Sequence, residues 1–270
     1  MGQDGSQPND HKMEGLTTES ASPGTLYIVG TPIGHPDDIT LRALATLRRV
    51  SVIASEDPLV TQALLTHHGI TATVTSYGPL NRHEKVQLLL HRLTQGEDVA
   101  FVSDNGTPVI YDPGSLFVAA AHQAGIPVKA IPGPSCMTAA TAISGFSGDA
   151  IIFEGHLPSS SLRITAFLSN LREERRTLAF YVAPGTIRRL LKILAQILPS
   201  RQVAIAMDLT THEEALFRGR PGELLAAIGR VSKDSAVTVI VEGYTAGSYM
   251  KNKKTSAPRY SSSRRRISTR

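Results

Sequence analysis

The sequence predicts an α/β protein built as two α/β domains, the first on a parallel sheet and the second on a mixed sheet. Three observations carry this. Between positions 25 and 131, short apolar runs alternate with helical stretches, the pattern of right-handed βαβ units on a parallel sheet. Three Gly/Pro clusters, Gly30-Thr31-Pro32-Ile33-Gly34, Ser103 to Gly114 and Pro132-Gly133-Pro134-Ser135, each follow an apolar run directly. After Gly145-Phe146-Ser147-Gly148 the rhythm changes, and the last three apolar runs have one helix among them.

The elements follow in order. Thr25 to Gly30 reads as a short strand. Asp38 to Arg49 places Ile39, Leu41, Leu44 and Leu47 at helical spacing, with Asp37 or Asp38 as the cap. Val50 to Ala54 is the second strand, and Pro58 to His68 a helix with Pro in its first turn and Gly69 past its end. Thr71 to Tyr77 is the third strand, Asn81 to Gln95 a helix closed by Gly96, and Val99 to Ser103 the fourth strand. Ser115 to Ala124 is a helix closed by Gly125, and Val128 to Ile131 the fifth strand. The second domain carries strands at Ile151–Phe153, Leu178–Val182, Gln202–Met207, Glu214–Arg218 and Ala236–Val241. The boundaries this implies are a polar tail over 1–23, domains over 24–134 and 135–243, and a basic tail over 244–270, both tails disordered.

Composition narrows the class. One Cys in 270 residues excludes a disulfide framework and a Cys-based zinc site, and it suits a reducing cytoplasm. No apolar run reaches the roughly 18 residues of a membrane span, and the first 23 residues lack the apolar region of a secretory signal. Met1-Gly2 with Ser6 fits the loose myristoylation pattern, a short match that carries little weight. The net charge of +5 is unevenly spread. Residues 1–23 hold four acids and one Lys, residues 244–270 hold three Lys, five Arg and no acid, and the body between them is neutral. Such a tail either binds phosphates without sequence preference or serves as a solubilising segment, and both readings stand.

The chain has no G-x-G-x-x-G, no phosphate-loop motif, no H-E-x-x-H and no metal-spaced cluster, so no metal site is expected. His67-His68 reads as a capping and packing pair at a helix end. What remains is three Gly/Pro loops at the carboxyl ends of strands one, four and five, where open α/β sheets bind ligands. Glycine lets backbone groups approach a ligand closely, and proline holds the loops in place.

Here the sequence resembles a family. Leu26 to Gly34, Asp38 to Leu44, Ser55-Glu56-Asp57, Ser76-Tyr77, Val102 to Pro108, Asp112-Pro113-Gly114, Ala124 to Val128, Ile131 to Ser135, Phe153-Glu154-Gly155 and Val239 to Gly243 are similar, in order, to the motifs of the tetrapyrrole-methylase-fold (class III) S-adenosylmethionine methyltransferases. Within that family they look most like the ribosomal-RNA branch. The resemblance implies two α/β domains with the cofactor cleft between them. It implies transfer of a methyl group from S-adenosyl-L-methionine to the ribose 2′-oxygen of a cytidine in small-subunit ribosomal RNA, on the RNA or the 30S particle, by a cytoplasmic homodimer that uses neither membrane nor DNA. By family position Pro32, Gly34, Ser103, Asp104, Gly106, Thr107, Pro108, Pro134 and Ser135 would cradle the cofactor, with Tyr181, Val182, Ala206 and Met207 on its other side. Asp104 has a second reading as a loop cap, and Cys136 reads as a packing residue.

Several positions depart from the family pattern. The family reads T-P-I-G-N where this chain ends on His35, E-D-T-R where it has Pro58-Leu59, and S-Y-H where it has Gly78. A family Arg falls on Gln62, Y-E-S-P-H-R becomes Tyr181 to Thr186, and R-E-L-T-K becomes Met207 to Thr211. The losses are mostly cationic, and they weaken the phosphate clamps an RNA substrate would use. The 2′-hydroxyl must still lose a proton. The candidates for that role are His35, which otherwise is a solvated loop residue, Asp57, which otherwise starts its helix, and Asn81. Two further readings stand beside the RNA methyltransferase: a diverged paralogue acting as an interaction protein, and a small-molecule methylase of the tetrapyrrole kind.

Overall fold

Parallel strands need crossover connections, and the alternating run supplies them. The computed structural model describes residues 22–78, 82–158 and 160–245. Its first sheet comprises β1 (Leu26–Val29), β2 (Val52–Ser55), β3 (Val74–Ser76), β4 (Val99–Val102) and β5 (Val128–Ile131), all parallel, in the order β3-β2-β4-β1-β5. The helices between them are α1 (Leu41–Arg49), α2 (Pro58–His67), α3 (Arg82–Thr94) and α4 (Ser115–Gln123). Both β2 and β4 are buried along their whole length, as strands covered on both faces must be. Tyr77, Phe101 and Phe117 form a buried aromatic trio with centroids 5.0, 5.9 and 6.2 Å apart.

The sequence placed the start of α1 too early. Pro36–Asp38 form a 3-10 turn, and the α-helix begins at Leu41. Asp37 and Asp38 lie inside the 3-10 turn, and its cap is His35. The Nδ1 of His35 accepts a hydrogen bond from the Asp37 amide at 3.2 Å. At α2 the expected start holds, and the Asp57 carboxylate accepts from the Leu59 amide at 2.8 Å. His67 and His68 sit at its end with their rings edge to face, 4.7 Å apart.

The second sheet is mixed, as expected. It comprises β6 (Ile151–His156), β7 (Thr177–Tyr181), β8 (Val203–Met207), β9 (Ala215–Gly219) and β10 (Val237–Val241), in the order β6-β7-β10-β8-β9. Only β6 and β7 run parallel. Alternation gives its two faces different partners. Leu178, Phe180, Val203, Ile205, Val239 and Val241 face one core with α6 (Ser161–Asn170), α7 (Ile187–Ile197) and α8 (Pro221–Ala227). The residues between them, Ala179, Ala204, Ala206 and Ile240, pack with Ala140 of α5 (Cys136–Ser144). The sequence reading left α5 unassigned, and the small side chains on the facing strands are what let it approach closely.

The chain divides into two compact units that interleave rather than meeting at one cut near 134. The first takes the chain through Val29, Leu41–Asp104 and Pro113–Ile131. The second takes Gly30–Thr40, Asn105–Asp112 and the chain from Pro132 onward. All three Gly/Pro loops thus belong wholly or mostly to the second unit although their strands belong to the first. Most of both predicted tails lies outside the described residues. Among the described residues no helix is long and apolar enough to cross a membrane.

Candidate active site

The three Gly/Pro loops leave neighbouring strands, because β4, β1 and β5 lie side by side. They are bonded to one another within the second unit. The Thr31 amide donates to the Gly106 carbonyl at 2.8 Å, and the Gly106 amide donates to the Pro32 carbonyl at 3.2 Å. The Thr107 hydroxyl donates to the Pro134 carbonyl at 3.1 Å. Gly30 and Gly133 touch backbone to backbone: a Cβ on Gly30 would lie 2.7 Å from the Cα and N of Gly133. Gly106 has φ +83°, and a Cβ there would come within 3.2 Å of Ile33 and 3.4 Å of the Pro134 carbonyl. Only glycine satisfies both demands.

Beside this knot, wholly within the second unit, lies a cavity of about 380 Å3. Asn105, Gly106, Thr107, Ile110, Tyr111 and Asp112 form one wall. Ser135 and Cys136, at the start of α5, form another. The sheet supplies His156 from β6, Tyr181 to Pro184 from the end of β7, and Ser235 to Thr238 from the start of β10. Val109 and Tyr111 adopt φ of +74° and +68°, a left-handed conformation costly for any residue with a Cβ and worst for β-branched Val109. Strain of this kind concentrates at ligand clamps.

The strained loop presents the Tyr111 ring to the cavity. It lies 4.7 Å from the His156 imidazole, between centroids, and 6.5 Å from Tyr181. Gly155, with φ +60°, makes room for it, since a Cβ there would run into the Tyr111 ring. Asp112 is the one formally charged side chain among the described lining residues. Burial pushes the Tyr181 phenol and the Cys136 thiol up, so both stay protonated at neutral pH. Burial pushes the His156 imidazole down, so it is held in its neutral form. The cavity therefore combines a carboxylate, two aromatic faces, a neutral imidazole and close backbone. That set suits a cationic small molecule with a flat end, and its volume is in the range of ligand pockets.

The sequence profile of the Tetrapyrrole (Corrin/Porphyrin) Methylases matches residues 25–225. The chain belongs to the tetrapyrrole methylase family. It is 39% identical over 220 residues to the ribosomal RNA small subunit methyltransferase I of Thermotoga maritima, covering 82% of this chain and 99% of that one. It is 42% identical over 227 residues to the protein of the same name from Micromonospora olivasterospora, covering 83% and 72%. A solved structure of uroporphyrin-III C-methyl transferase from Thermus thermophilus, complexed with S-adenyl homocysteine, superposes with a TM-score of 0.57 at 22% identity, over 81% of this chain and 97% of that one, a likeness of fold.

In this tetrapyrrole methylase the structure gathers part of the expected site. Gly106, Thr107, Ser135, Tyr181 and Val182 line the cavity. Pro32 and Pro134 are in the loop knot, each accepting a bond there through its carbonyl, and Gly34 packs against Leu209 and Thr210 instead. Ser103 and Asp104 belong to the first unit, and the Asp104 carboxylate accepts from the Asp57 amide at 2.9 Å, the loop-bridging reading of that residue. Pro108 is buried and off the wall. Ala206 is in the α5-facing core, and Met207 packs against the opposite one. The antiparallel β10 lies between β7 and β8, with Thr238 opposite both Tyr181 and Ala206, so the wall expected from β8 comes from β10. Of the candidate bases, His35 uses Nδ1 and Asp57 uses one carboxylate oxygen on helix caps, neither lines the cavity, and Asn81 lies outside the described residues. His156, Tyr111 and Ser235 to Thr238 were missed as site residues. Asp112-Pro113-Gly114 was a visible signal for the strained loop, while His156 sits beyond an irregular strand end that the sequence does not announce.

Proposed function

We propose that the chain is an S-adenosylmethionine-dependent methyltransferase that modifies the ribose 2′-oxygen of a cytidine in small-subunit ribosomal RNA. The observation that carries this reading is the cavity built on the loop knot, in a chain that spans 99% of a relative bearing the ribosomal RNA methyltransferase name. The residues present fit the cofactor. Gly106 removes the side chain that would fill the cradle, Asp112 complements a cationic centre, and Tyr111 and Tyr181 offer aromatic faces. The bound cofactor supplies a methyl group on a sulfonium, a good leaving group, so in-line positioning is much of the catalysis. The loop knot fixes the Gly106-Thr107 backbone, and Ser135 and Val182 close opposite walls. Contact with the 2′-hydroxyl would distinguish RNA from DNA.

The reading includes action in the cytoplasm, a second copy of the chain as partner, and phosphate contact by the basic segment after 243. Calorimetry with S-adenosylmethionine and transfer of a tritiated methyl group to 30S particles test it together. Binding with transfer to the small-subunit RNA is expected. No binding at millimolar cofactor would overturn the methyltransferase reading, and binding without transfer would leave the interaction protein or the small-molecule methylase.

A further inference from the structure

Methyl transfer to a hydroxyl needs a group to take the proton, and the three candidates visible in the sequence do not supply it. His35 and Asp57 cap helices and do not line the cavity, and Asn81 has no basic atom. The cavity wall itself holds five ionisable side chains: Tyr111 and Asp112 from the strained loop, Cys136 from α5, His156 from β6 and Tyr181 from β7. Burial holds the Tyr181 phenol and the Cys136 thiol in their protonated forms, and Tyr111 packs on the imidazole instead. Asp112, a carboxylate, is a weak base for an alcohol and the natural partner of a cationic ligand.

His156 differs from these in position as well as chemistry. It lines the cavity and is also exposed to solvent, so an acceptor and water can both reach it. The strand changes register between Phe153 and His156, and Gly155 takes a left-handed turn there, which sets His156 opposite Tyr181. The Tyr111 ring packs on the imidazole, itself held by a backbone in a conformation its own residue type disfavours. The strained Tyr111 backbone and the left-handed Gly155 thus both act on this one side chain.

We propose that His156 is the general base of the transfer, with Tyr111 as its positioning residue; this rests on the methyltransferase reading above. The acceptor oxygen forms its bond to the methyl carbon as the carbon–sulfur bond breaks, the electron pair going to sulfur. The hydroxyl proton passes to the His156 imidazole and from there to water. Burial lowers the proton affinity of the ring and keeps it unprotonated and ready at neutral pH.

The test uses the full chain and His156→Gln. The imidazole is titrated by NMR in the protein without cofactor, the missing signal in the variant identifying it. A midpoint below the ordinary 6.5 is expected, and a ring still protonated at pH 7 would overturn the proposal. Single-turnover transfer to 30S particles is then followed between about pH 5.5 and 9, and cofactor affinity by calorimetry. His156→Gln should lose about 100-fold or more in rate. It should also lose the fall in rate at acid pH, with cofactor affinity kept. Transfer by the variant within about threefold of the parent, or an acid limb that survives the substitution, sinks this inference alone. A rate loss matched by an equal loss of cofactor affinity makes His156 a wall residue and overturns it too. Binding of cofactor by the parent with no transfer to RNA removes the function proposed above, and His156 as its base with it.

Discussion

Gly106→Ala tests whether the loop knot makes the cavity or merely adjoins it. The new methyl meets two separate costs. The backbone at φ +83° disfavours any Cβ, by about 1–2 kcal/mol. The methyl also sits 3.2 Å from the Ile33 side chain and 3.4 Å from the Pro134 carbonyl. Ile33 is buried in the α5-facing core and has little room to retreat, so overpacking adds about 1–3 kcal/mol. Gly145→Ala is the matched control. It lies in the same unit at φ +72°, and the nearest atoms a Cβ would meet are on Arg218 at 3.8 Å, an ordinary contact. The control should lose only the conformational part. Urea unfolding followed by circular dichroism reads both, since the chain has no Trp. Calorimetry with S-adenosylmethionine reads the second consequence. Gly106→Ala should weaken binding by about tenfold or more, roughly 1.4 kcal/mol, and Gly145→Ala should leave it unchanged. Equal losses of stability and affinity in the two variants would refute the claim that the knot shapes the site.

Other outcomes follow from single contacts. Asp104→Ala strips the Asp57 amide of its acceptor and should cost about 1–2 kcal/mol in a denaturant melt; a loss of cofactor affinity at unchanged stability would assign Asp104 to the ligand instead. Among the described residues the buried Tyr77 hydroxyl has no hydrogen bond of good geometry, so Tyr77→Phe should be neutral or stabilising within about 1 kcal/mol, and a larger loss would reveal a bond, with the Phe117 backbone as the nearest candidate. The Arg176 side chain, then its backbone amide, hold the Glu174 carboxyl at about 2 against its ordinary 4.5. A lowered carboxyl stabilises the fold above pH 4.5 and loses that contribution as pH falls toward about 2, and Arg176→Gln should return the midpoint seen by carboxyl NMR to the ordinary range. Leu59→Arg, which restores a family cation at an exposed position, should steepen the log–log salt dependence of binding to 30S particles by about 0.7–0.9 without changing stability, and an unaltered slope would remove Leu59 from the RNA surface.

How far the sequence reads depends on whether a feature is local. The five parallel strands and their helices are legible because the 3.6-residue and two-residue periods, Pro58 at a helix start and Gly125 past a helix end are all local signals. The loop clusters are legible for the same reason. The 3-10 turn ahead of α1 is not, because His35 caps it in place of the short polar residues that usually do, and an imidazole is not among the residue types that announce a cap. Nor is α5 legible, since Cys136–Ser144 is almost wholly small side chains with no polar face to mark a period. The site is half legible. Gly106, Thr107 and Ser135 follow from their loops, but Ser235 to Thr238 join the wall only because β10 inserts antiparallel between β7 and β8, a long-range pairing.

The departures from the family pattern sort by the space around them. Glycines in the loop knot are packed against backbone, and any side chain at Gly30 or Gly133 would collide. The glycines that replace family histidines are different. A Cβ at Gly78 or at Gly185 would meet nothing within 4 Å, and Leu59, where the family has Arg, is 81% exposed. Cations at those three positions would project into solvent, so their loss changes neither core nor knot. His35 shows the opposite case. It replaces a family Asn, yet its Nδ1 accepts the bond an Asn carbonyl would accept at a cap, so the turn survives the exchange. The side chain at His35 thus supports the backbone, while Gly78, Gly185 and Leu59 are open positions where a cation could stand without disturbing the loops that build the cavity. Tyr111 holds a strained backbone against Gly155 and His156, so this wall of the cavity is built at a conformational cost.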